Sequence, residues 1–221
     1  MARTRGSRNV DYEAQRAALA RRVREALTAD EGIHASLRNL ASAAGSSVAT
    51  LKHYFGDRAG LIRGVMESQR AEAAPYLAMA GQAKPGDVRG SLLQFLKALS
   101  TAWFKYGVGK MYASTLALGL GSKAFGPSFV NHVLEPLLQT GESLLRQHVE
   151  RGELVIDDVR HASLMFLSPA VLGLLHQDSL SGSACRPLDL ARFLETQVDA
   201  FLRAFPARAK RPRRAEARAR V

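Results

Sequence analysis

Apolar residues recur along this chain at helical spacing, and the first stripe is Leu19, Val23, Ala26 and Leu27. Positions separated by three and four residues share one helical face, so the stripe predicts a helix from about Tyr12 to Ala29, stopping before Gly32. A short helix follows, with Leu37, Leu40 and Ala41 inward and Ser36 as its N-cap. A cap serine accepts a hydrogen bond from a backbone N–H that the first turn leaves unpaired. Gly45 ends that helix, because glycine enters the left-handed region without steric cost. Ser46 or Ser47 then caps a helix with Leu51 and Phe55 on one face. Gly56-Asp57 breaks it and opens another, with Leu61, Ile62, Val65 and Met66 inward.

The same spacing continues downstream. Leu92, Leu93, Phe95, Leu96, Leu99, Trp103 and Phe104 predict a well-buried helix. Val130, Val133, Leu134, Leu137, Leu138, Leu144, Leu145 and Val149 predict a long one ending at Gly152, with a kink at Pro136. Two more helices, over Asp158–Leu175 and Leu188–Phe205, are apolar around more of their circumference than a monomer requires, which suggests a subunit interface. β-Branched residues are sparse, so the class is all-α, with about nine helices.

Composition sharpens the picture in three ways. The 221 residues are 47% apolar, enough for a substantial core. The net charge of +11 is concentrated at the two ends: residues 1–70 hold twelve Lys/Arg against seven Asp/Glu, residues 71–205 twelve against twelve, and residues 206–221 seven against one. A basic first third on a neutral body points to a polyanion-binding module. The polar N-terminus, a lone Cys185 and the lack of any apolar run approaching the roughly 18 residues of a membrane span lead us to expect a cytoplasmic protein with no membrane partner.

Helix, glycine turn and helix over Leu37–Leu61 form a helix-turn-helix pattern, whose second helix would enter the major groove of DNA. Small residues at its start, Ser46, Ser47, Val48 and Ala49, let the helix approach base edges closely. Thr50, Lys52, His53 and Tyr54 are donors suited to phosphates. The competing reading is an ordinary helical hairpin with exposed polar residues. Arg3, Arg5 and Arg8, ahead of the expected first helix, read as a basic arm that reaches along the duplex.

Residues 16–66 resemble the N-terminal domain of the TetR/AcrR transcriptional repressors. The family segment "IA..AGVS.GTLY.HF..K..L" is present here as "LASAAGSSVATLKHYFGDRAGL", matching at Leu40-Ala41, Ala44-Gly45, Thr50-Leu51, Phe55 and Leu61. Arg58 stands where the family usually has lysine, Lys52 replaces a frequent tyrosine, and His53-Tyr54 replaces the aromatic-His pair. The resemblance implies a helix-turn-helix DNA-binding domain over residues 1–60, a ligand-binding and dimerisation domain over 61–205, and a basic tail over 206–221. It implies a homodimeric repressor, released from a palindromic double-stranded DNA operator by a small hydrophobic molecule as effector. Ser36, Ser46, Ser47, Val48, Ala49, Thr50, Lys52, His53, Tyr54 and Arg58 become the expected DNA-binding residues. The last two helices become the dimer interface, through Leu164, Leu167, Val171, Leu174, Phe193, Leu194, Val198 and Phe201.

Trp103, Phe104, Met111, Tyr112, Phe125, Met165 and Phe166, with His176 as a polar tip, are the side chains expected to line an apolar ligand cavity; core packing is the alternative for each. Catalytic patterns are weak. "GLGSKA" lacks a preceding strand for a dinucleotide site, and "GVGKM" has Phe104 and Met111 where a phosphate loop needs Gly and Ser/Thr. The six histidines show no metal spacing. No cofactor, metal site or enzymatic activity is expected. A helical enzyme with an apolar pocket and a nonspecific polyanion binder are the alternatives.

Overall fold

Gly45 and Gly56 adopt φ of 59° and 78°, and these two left-handed positions bracket the short helix α3 (Val48–Phe55). Before it stand α1 (Arg5–Leu27) and α2 (Leu37–Ala43), and after it the long α4 (Arg58–Ala80). The computed structural model describes residues 5–29 and 32–206, with side chains described from residue 11 onward. Helix α1 begins at Arg5 rather than near Tyr12, so Arg5 and Arg8 are helical residues and not part of an extended arm. Arg3 and the tail from 207 lie outside the described residues.

The three expected caps form. Ser36 accepts from the Asn39 N–H at 3.2 Å, Ser47 from Thr50 at 3.0 Å and Asp57 from Gly60 at 2.7 Å. Leu19, Val23, Leu27, Leu40, Leu51, Phe55, Leu61, Ile62 and Met66 close a core among α1 to α4. Ion pairs Arg16–Glu67 (2.9 Å) and Arg24–Glu72 (2.7 Å) then tie α1 along α4.

The body comprises α5 (Val88–Lys105), α6 (Val108–Gly121), α7 (Gly126–Phe129), α8 (Glu135–Glu150), α9 (Val159–Gln177), α10 (Gly182–Cys185) and α11 (Leu190–Ala204). Its core gathers Phe95, Trp103, Tyr112, Leu144, Phe166, Leu174, Val198 and Phe201. The two cores are joined through α4 and α6. Leu61 to Met66 belong to the first, Leu77 packs on the second, and Met111 and Leu118 of α6 reach back into the first. Between α7 and α8 a π turn spans Val130–Leu134, and the Glu135 N–H donates to Val130 O. Pro136 has no N–H to offer the carbonyl of His132, and its ring would crowd that carbonyl. The expected kink is therefore absorbed as a widened turn. Among the described residues there is no strand, and no helix is long and apolar enough to cross a membrane.

Candidate nucleic-acid interface

Leu51 and Phe55 anchor α3 in the core, and this fixes which face looks outward. Ala49, Lys52 and His53 are exposed, at the i, i+3 and i+4 spacing of one stripe. Ser47 stands exposed at the head of the helix, its hydroxyl also 2.8 Å from Thr50 Oγ1. Ser46, Val48 and Thr50 are half-buried beside it. The first turn of α3 thus presents small side chains, and a cation and an imidazole follow on the same side.

Two expected DNA-binding side chains are used elsewhere. The Tyr54 hydroxyl donates to Gln15 of α1, and its ring lies 4.7 Å from that of Tyr12. Arg58 turns inward: Nε donates to Ala35 O at 3.0 Å and Nη2 to Ile33 O at 2.5 Å. A guanidinium is well suited to this, because its fork of donors can satisfy two carbonyls that the connection between α1 and α2 leaves without helical partners. Ser36 is committed as the cap of α2. Tyr12 and Arg16 were not singled out by the sequence. Tyr12 braces both His53 (5.8 Å, edge-on) and Tyr54, while Arg16 places its guanidinium 5.2 Å from the Phe55 ring centroid. Neither has a local signal, since their partners lie about forty residues on.

The residues expected to line a ligand cavity are divided between the two cores and the surface. Trp103, Tyr112 and Phe166 fill the body core, and Met111 and Phe125 the first core. Trp103 Nε1 donates to Asp178 at 3.0 Å, and burial pushes the Tyr112 phenol above its ordinary pKa. Phe104 and Met165 are exposed, and His176 Nδ1 lies 2.7 Å from Gln177 Nε2. Two clefts instead open beside α4 and the π turn, and none of the eight residues lines either.

Of the side chains expected at the dimer interface, Leu164 is exposed. Leu167, Val171, Leu174, Leu194, Val198 and Phe201 are buried within their own chain, and Phe193 packs on Gly173. The exposed apolar side chains of α9 are Leu164 (47%), Met165 (57%) and Leu172 (64%). Helix α9 is apolar on two faces, as its composition suggested, but only one of them is free.

This head, with α1, two short helices and the long connecting α4 leading to a helical body, recurs in solved proteins. A Mesorhizobium loti protein assigned to the TetR family superposes with a TM-score of 0.68 at 20% identity, covering 92% of this chain and 99% of that one. A TetR transcriptional regulator from Agrobacterium tumefaciens gives 0.61 at 22% identity, covering 86% and 93%. The chain has the TetR fold. SmeT, repressor of the Stenotrophomonas maltophilia multidrug efflux pump SmeDEF, shares the TetR fold too, with a TM-score of 0.60, 15% identity and coverage of 90% and 94%. No protein-family model and no curated protein matches the sequence. Within the TetR fold, α3 is the second helix of the helix-turn-helix, and α9 and α11 are the last two long helices of the body.

Proposed function

We propose that this chain is a TetR-like transcriptional regulator, a homodimeric repressor that binds a palindromic operator and is released by a small-molecule effector. The observation that carries the reading is the outward stripe of α3, where Ser47 and Ala49 lead and Lys52 and His53 follow. Small residues at the entering end permit base contact, and the cation behind them meets the phosphate backbone. One eight-residue helix reads few base pairs. A twofold dimer doubles the site, and the free apolar stripe Leu164, Met165 and Leu172 offers α9 for that contact.

The test is selection of DNA fragments from a random pool at fixed salt. Enrichment of a palindrome supports the reading, whereas uniform retention of all sequences would identify a nonspecific polyanion binder. Lys52→Ala should weaken all sequences alike and reduce the salt slope by about 0.9. Changes at Ser47, Val48 or Ala49 should instead shift the selected bases.

A further inference from the structure

The π turn faces α4 across an open cleft of about 580 Å3, whose polar lining includes Arg70, Asn131, His132, Glu135, Gln139 and Arg160. The volume is in the range of small-molecule sites. A smaller recess of about 240 Å3 is lined along α4 by Glu67, Ala71 and Ala74, and Arg70 and His132 border both spaces.

The charges in the cleft are unevenly satisfied. Arg160 is held by Glu135 at 2.9 Å, so that pair is internally neutral. Arg70 is an exposed guanidinium with no ion pair or hydrogen bond among the described residues. His132 Nδ1 is buried without a partner. A bare lone pair is easier to bury there than an N–H without an acceptor. The tautomer that leaves Nδ1 bare carries its proton on Nε2, which makes Nε2 a donor. One unpaired cation and one imidazole donor beside an apolar shelf call for an anion with an apolar arm.

We propose that this cleft binds a small organic carboxylate, its head on Arg70 and His132 and its tail along Ala71 and Ala74, and that this is where an effector acts. A forked guanidinium receives a carboxylate through two parallel hydrogen bonds. Glu67 lines the same recess one turn N-terminal to Ala71; its carboxylate holds Arg16 at 2.9 Å, and Arg16 lies over Phe55 at the end of α3. The wall of the recess is thereby linked to α3 through the Glu67–Arg16 pair and the Arg16–Phe55 contact. The binding claim stands alone, while the effect on DNA rests on the function proposed above.

The test titrates the full chain, without DNA, with octanoate and with its uncharged counterpart octanamide by calorimetry. Octanoate should bind saturably, and both octanamide and the Arg70→Gln variant should bind about tenfold or more weakly. Arg70→Gln should melt like the parent without ligand, because Arg70 is exposed and makes no hydrogen bond or ion pair among the described residues. Equal binding of the two probes, undiminished binding by the variant, or no saturation overturns the site. Octanoate should then lower the affinity of the parent, and not of Arg70→Gln, for the selected DNA. Binding through Arg70 that leaves DNA affinity unchanged overturns the effector role. If no sequence-selective DNA binding exists, the regulator reading fails, and the DNA-free titration still decides the site.

Discussion

Gly64 of α4 lies against Phe55, the last residue of α3: a Cβ at Gly64 would stand 2.5 Å from Phe55 Cε1 and 3.3 Å from Arg16 Nη2. Helix α3 is therefore seated on α4 through a close approach at Gly64 that a Cβ would crowd. Gly64→Ala gains about 1 kcal/mol of helix propensity but forces the ring of Phe55 to move, at about 1–3 kcal/mol. The expected outcome is a lower melting temperature together with weaker DNA binding. A higher melting temperature with unchanged DNA affinity would show that Phe55 gives way freely.

Arg58 serves the fold of the head. Its two donors close the carbonyls of Ile33 and Ala35. Arg58→Met should destabilise the chain by about 0.5–1.5 kcal/mol, the range for losing hydrogen bonds to part-buried carbonyls that water can partly replace. Arg58→Lys should recover only part, since an ammonium cannot reproduce the fork. The salt slope of DNA binding should match the parent's in both variants, in contrast to Lys52→Ala. A slope reduced by about 0.9 in Arg58→Met would return Arg58 to the phosphate contacts.

Acid should destabilise the body. Four carboxylates are held below their ordinary pKa: Asp87 by the Gly90 N–H, Glu153 by His148, Asp158 by the His161 N–H and Asp199 by Arg89. Because folding lowers these values, their stabilisation is fully present above the ordinary carboxylate pKa of about 4 and is lost as pH falls through the folded values. The melting temperature should be flat toward pH 5 and fall below about pH 4. Glu153→Gln, which cannot titrate, should flatten the acid limb. Superimposable acid limbs for parent and variant would remove Glu153 from the account.

Leu172 and Leu174 stand two residues apart on α9 with opposite surroundings, 64% exposed and fully buried. Leu172→Asp should yield a folded monomer in sedimentation velocity, because the substitution leaves the core untouched. Leu174→Asp should unfold the chain, since an unpaired carboxylate in a core is among the costliest substitutions. A Leu172→Asp protein that remains dimeric would move the interface off this stripe.

The helices of the head were legible in the sequence because their determinants are local. Ser36, Ser47 and Asp57 each cap through a backbone N–H three residues on, and Gly45 and Gly56 reverse the chain through their own φ. Leu40, Leu51 and Phe55 were correctly placed inward, since these short helices have one apolar face each. In α9 the same reading grouped Leu167, Val171 and Leu174, which pack inside the chain, with Leu164, which stays exposed. Periodicity sets the angle between Leu172 and Leu174 on a helix, and it says nothing about which of two apolar stripes a neighbour will cover. The destination of Arg58, the brace of Tyr12 on His53 and the pair Arg16–Glu67 were likewise decided by tertiary structure. These contacts join residues on different helices, and a side chain's partner at such separation depends on how the helices pack rather than on spacing along any one of them.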